Sequence, residues 1–208
     1  MHIATVQPRS SMKPLEPDSY PARCVQYIDL GEQPKPNTDK TSRTIMLIFE
    51  LPTERMQFKE DDGTVTDKPR LMSKRFTLSM HEKGNLRKAI NAWRGVALTE
   101  DEARNFDIAK LLNVPCMLTI IHRQSKNSGN IYADIDAIGK YPKAFPPLAE
   151  AETTIFGFDL DTPDDVEKVE ALPEWIQRII KESPTYQELA EQASFEKINP
   201  DDLPFGND

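Results

Sequence analysis

HEKGNLRKAINAWRG, residues 81–95, is where the chain changes its period. Leu86, Ala89, Ile90 and Trp93 recur at helical spacing, and Gly95 supplies the residue that most readily stops a helix in the left-handed conformation. Upstream the pattern has period two. ARCVQYIDL (22–30), RTIMLIFEL (43–51) and RLMSKRFTL (70–78) read as three strands, the second apolar enough to be buried on much of both faces. GEQPKPNTDKTS (31–42) is a turn-forming loop, and PTERMQFKEDDGTVTDKP (52–69) a polar excursion with a hairpin tip at EDDGTV. Downstream, LTEDEARNFDIAKLLNV (98–114) opens on a capping box, Thr99 with Glu102, and places Ala103, Phe106, Ala109, Leu111 and Leu112 at apolar positions. After Pro115, CMLTIIHR (116–123) and NIYADIDAIG (130–139) are two more strands, joined by QSKNSG.

Strand, strand, strand, helical segment, strand, strand is the order of an OB-fold, a five-stranded Greek-key barrel with its helix between the third and fourth strands. Other five-stranded barrels and α+β folds accommodate the same order. The expected fold class is therefore mainly β, with a C-terminal helix and a disordered acidic tail appended. The chain divides into a flexible N-terminal arm rich in Pro and Ser (1–20), the barrel (21–148), a C-terminal extension (149–183) and an acidic tail (184–208). The extension holds a short strand, TIFGFDLD (154–161), and a helix, LPEWIQRIIKES (172–183). Trp93 and Trp175 are expected in the core, and an exposed apolar face on the 172–183 helix would support a homodimer.

Charge is divided as unevenly as structure. Residues 1–148 carry 22 Lys and Arg against 18 Asp and Glu, a net +4, whereas residues 149–208 carry 4 against 16, a net −12. A mildly basic body with an acidic tail points toward nucleic acid, although a neutral domain with a solvating tail has the same arithmetic. No apolar run approaches a membrane span and no signal-peptide pattern opens the chain, so a soluble protein of the cell interior is expected. Cys24 and Cys116 are expected as buried free thiols, with no metal site and no cofactor.

Motifs of catalysis are missing. His2, His81 and His122 are scattered, and no phosphate-cradling glycine loop, nucleophile elbow or HExxH occurs. The expectation is a non-enzymatic protein. Binding fits better, because single strands are held by cations that follow the phosphates and by aromatic faces on which bases stack. The strands offer Tyr27, Lys74, Arg75, Phe76, His122, Arg123 and Tyr132; the loops offer Lys40, Arg43 and Lys126. Lys74 and Arg75 point to opposite faces of one strand, so only one of them can line a groove. Tyr141, Lys143 and Phe145 continue past the barrel.

PARCVQYIDLG (21–31), EKGNLRKAINAWRG (82–95), FDIAKLLNVPCMLTIIHRQSKNSGNIYADIDAI (106–138) and LPEWI (172–176) resemble bacteriophage single-stranded DNA-binding proteins of the OB-fold type. The resemblance covers most of residues 21–180. It implies sequence-independent coating of single-stranded DNA during replication or recombination, in the cytoplasm of an infected bacterial host. DDLPF (201–205) is similar to the acidic tip of bacterial single-stranded DNA-binding proteins, where aspartates precede an Ile-Pro-Phe end. This second resemblance implies that Asp201, Asp202, Leu203, Pro204 and Phe205 recruit phage or host replication and recombination proteins. A basic-rimmed apolar pocket would take the ring, and proline lowers the entropy lost on docking. Here Gly206, Asn207 and Asp208 follow, so Phe205 offers no terminal carboxylate. The rival expectation is an adaptor whose barrel mainly binds protein partners.

Overall fold

Residues 45–51 explain the architecture. Ile45, Leu47, Phe49 and Leu51 point into one apolar cluster and Met46 and Ile48 into another, so this strand is buried on both faces. The computed structural model describes residues 13–35, 38–59, 63–126, 128–166 and 168–196. Its strands are β1 (Ser19–Pro34), β2 (Thr41–Lys59), β3 (Val65–Thr77), β4 (Pro115–Gln124), β5 (Ile131–Lys140) and β6 (Phe156–Phe158). Its helices are α1 (Asn85–Arg94), α2 (Glu100–Arg104), α3 (Pro163–Val166), α4 (Glu174–Lys181) and α5 (Pro184–Glu196). The fold is mainly β, with one open sheet in the order β3-β2-β1-β4-β5 and β6 added parallel to β1.

Of the four register shifts among the described strands, one in β1 and one in β2 set the layers. Register shifts between Cys24 and Gln26, so β1 exchanges its faces: Ala22 and Cys24 face the inner cluster before the shift, and Ile28 and Leu30 face the outer one after it. Before the shift β1 pairs with both β2 and β4, and the pairing with β4 ends at Arg23. The second shift, between Leu51 and Arg55, starts at Pro52, which has no N–H to give the ladder. Beyond it β2 and β3 continue as a paired ribbon from Arg55↔Pro69 to Lys59↔Val65. The polar excursion of 52–69 is thus mostly strand; charged residues there reflect a ribbon with little core to cover.

The inner cluster lies between the curled sheet and α1. Leu86, Ile90 and Trp93 are buried there, with the Phe49 and Trp93 ring centroids 5.7 Å apart and Trp93 Nε1 donating to the Pro115 carbonyl at 2.8 Å. Gly95 ends α1 at φ 73°, as its sequence predicts. The Thr99–Glu102 capping box forms, but α2 is only five residues long. Asp107 caps a separate 3-10 turn, Ile108–Leu111, instead of continuing the helix, and this leaves Ala109 exposed.

The C-terminal extension covers the outer face of β1 and β2. Phe158, Leu160, Val169, Leu172, Ile176 and Ile180 pack there against Val25, Ile28, Leu30, Met46 and Ile48. Three expectations change. The tail expected from 184 onward opens on a helix, α5: Ser183 Oγ accepts from Tyr186 N at 3.2 Å, Pro184 takes the first helical position, and Tyr186 and Leu189 join the outer cluster. The arm's last residues are pinned, with Leu15 buried and its carbonyl 3.0 Å from His122 Nε2. Trp175 belongs to neither cluster and is 46% exposed. Cys24 and Cys116 are buried free thiols. Among the described residues no helix is long and apolar enough to cross a membrane.

Candidate functional site

The sheet does not close by strand pairing between β3 and β5. Along that seam the described contact is a side chain: Lys74, pointing inward from β3, reaches the Ile135 carbonyl and lies 4.0 Å from Asp134 Oδ1. Beside this bridge opens a cleft of about 760 Å³, walled by β3, the start of α1 and β5. Lys74, Arg75, Lys83 and Lys88 line it. Asp136 is the only carboxylate in the lining, and Arg123 holds it at 3.2 Å.

Arg75, Lys83 and Lys88 are exposed, and among the described residues no side chain pairs with any of them. The positive end of α1 adds to this field. Its N-cap is Gly84, without a capping side chain, and no acidic residue occupies the first turn. Four cations, one already neutralised carboxylate and a helix start with free amides make a pocket for an anion with several oxygens.

The expected binding residues separate into two groups. Lys74, Arg75 and Phe76 meet at the cleft. Lys74 and Arg75 both line it despite pointing to opposite faces of β3, because the cleft opens at the strand's unpaired edge and reaches both sides. Phe76 is only 5% exposed and belongs to the inner cluster, so its ring is unavailable to a stacked base. Arg123 stands at the rim, committed to Asp134 and Asp136, and its hydrogen bond with Asp134 raises its pKa. Tyr132 is 44% exposed and sits opposite Arg123 in the ladder.

The remaining residues lie elsewhere. Tyr27 is wedged against Gly157, where a methyl would collide with its ring; burial, then Asp159, Asp107, Asp165 and Asp29, raises its pKa. A ring ringed by carboxylates is poorly placed for a polyanion. Arg43 is bound to Asp29, to Asp159 at 3.5 Å and to Asp161 at 2.9 Å, fastening the extension to the sheet, and the Asp29 hydrogen bond raises its pKa. Lys40 is in the turn before β2 and Lys126 in the β4–β5 loop, and neither lines the cleft. His122 contacts the arm. Asp201, Asp202, Leu203, Pro204 and Phe205 lie outside the described residues.

Lys83 and Lys88 were not singled out by the sequence. The signal was present: helices favour acidic residues in their first turn, and this one has none while carrying Lys83 before its cap and Lys88 one turn in. Among the described residues, no group of three or more His, Cys, Asp or Glu side chains is placed to hold a metal ion. No protein-family model, no curated protein and no solved structure matches this chain.

Proposed function

We propose that this chain is a non-enzymatic single-stranded DNA-binding protein that coats DNA without strong sequence preference during phage replication or recombination. The observation that carries the reading is the cationic cleft at the β3–β5 seam, where Lys74, Arg75, Lys83 and Lys88 converge in a chain whose net charge is −8. Phosphates entering it release the counterions condensed on the strand, which drives binding and makes it salt-sensitive. The strand order β3-β2-β1-β4-β5, with α1 between β3 and β4 and packed across the open seam, supports an OB-fold as the scaffold. The acidic residues after Glu196 are the part that recruits replication or recombination partners, in the bacterial cytoplasm. Residues 184–196 serve the fold instead, through α5.

Fluorescence anisotropy of a labelled dT oligonucleotide, competed by duplex DNA and by RNA at two salt concentrations, tests the reading. Salt-sensitive binding of micromolar or better affinity, resisted by duplex, is expected. Absence of binding by both the full chain and a chain ending at Glu196 contradicts it and favours a barrel that binds protein partners.

A further inference from the structure

We propose that the outward face of β3 carries the single strand from the cationic cleft into an adjoining uncharged groove, where Trp175 stacks on its bases. The inference rests on the proposed function and adds to it a second, aromatic half of the site, contributed by the C-terminal extension. Alternate residues of β3 face outward, and Leu71, Ser73 and Arg75 form such a row. Arg75 lines the cleft; Ser73 and Leu71 line a groove of about 590 Å³, shared with Phe156, Leu172 and Trp175. The two depressions are therefore consecutive along one strand.

Their linings differ as the two halves of a nucleotide differ. The cleft gathers cations suited to phosphates, whereas no charged side chain lines the groove. In a chain with 34 acidic residues, no carboxylate lines this trough, and of the acids that flank its lining Glu152 pairs with Arg55 and Glu170 with Lys181, which leaves Glu174 beside Trp175. Continuity with the cationic cleft commits the groove to bases rather than to an apolar protein partner, because a strand whose phosphates lie in the cleft brings its bases to the neighbouring trough.

Trp175 is built for such a contact. The other tryptophan, Trp93, is 4% exposed and spends its indole N–H on Pro115. Trp175 is half-exposed, and its indole N–H has no partner among the described residues. Its helix is nevertheless fixed, because the neighbouring Ile176 and Ile180 are fully buried in the outer cluster. The backbone that carries the ring is thus fixed, so stacking orders only the side chain's own two torsions.

Intrinsic fluorescence with dT isolates this residue, since Trp93 is buried. Saturating dT should quench the natural chain, and Trp175→Phe should abolish most of the quenching while its smaller aromatic face keeps part of the affinity that Trp175→Ala loses. Trp175→Ala should weaken dT binding by roughly 5- to 150-fold with an unchanged salt slope, because a stack carries no charge. Undiminished quenching in Trp175→Phe together with natural affinity in Trp175→Ala, while dT still binds and loss of the cleft cations still weakens it, overturns the groove and leaves the DNA reading standing. No dT binding by the natural chain overturns both. Melting curves of both variants establish that they are folded; Trp175 adds to neither cluster, so natural melting is expected.

Discussion

Replacing Arg75, Lys83 and Lys88 together by alanine removes three of the four cations of the cleft and leaves Lys74, whose ammonium bridges β3 to the Ile135 carbonyl. For a single strand the slope of log affinity against log salt is about 0.7 per neutralised phosphate. If each cation takes one phosphate, the natural slope is about −2.8, and affinity falls roughly 50-fold between about 50 and 200 mM salt. In the triple variant the slope drops to about −0.7, and the same salt change costs only about threefold. The three side chains are exposed and unpaired among the described residues, so each substitution should change stability by less than about 0.5 kcal/mol. Anisotropy titrations at four or more salt concentrations, with melting curves as a control, read the result. A folded triple variant with the natural slope would refute the cleft as the phosphate site.

Further outcomes follow from the fold. Phe76→Ala should destabilise the chain by about 3–5 kcal/mol in denaturant unfolding, because the ring is core; a stable variant with weakened DNA binding would restore it as a stacking platform. Arg43→Ala should cost about 3 kcal/mol by the same measurement, since among the described residues it strands the buried Asp29 carboxylate with only the Gly31 N–H, at 2.9 Å, to solvate it. Burial pushes the Cys24 thiol from 9.0 up to about 12 and raises Cys116 as well. The fold thus accepts these thiols only when neutral: their contribution to stability is full below about pH 9 and declines above it, by up to about 1.4 kcal/mol per pH unit per thiol, as only the unfolded chain ionises. A thiol reagent at pH 8 should find neither cysteine in the native protein and both in denaturant; rapid native labelling would contradict this burial.

Periodicity carried much of the fold. The two-faced burial of β2, the helix stopped by Gly95 and the Thr99 capping box are local patterns, and each formed where the residues put it. The missed α5 also had a local signature, Ser183 followed by Pro184, hidden by a helix with almost no apolar stripe. The site was less legible because its meaning depends on pairings distant in sequence. Arg43 looks like a free loop cation until Asp29, 14 residues away, and Asp159, 116 away, claim it. Arg123 is claimed by Asp134 and Asp136 in the same manner. Conversely Arg75, Lys83 and Lys88 acquire their significance only when β3 and α1 are folded side by side. Trp175, on an amphipathic segment with three isoleucines, has the pattern of a core residue; only packing shows that Ile176 and Ile180 fill the cluster without it.

The most direct test of the account is photocrosslinking of the full chain to a bromodeoxyuridine-substituted single strand, followed by identification of the attached peptides. Adducts are expected within residues 70–92, from β3 and α1, and within 171–177 around Trp175, all lost in excess dT and retained in excess duplex. Adducts confined to the β4–β5 loop around Lys126 or to the first loop around Lys40, with residues 70–92 unlabelled, would contradict it.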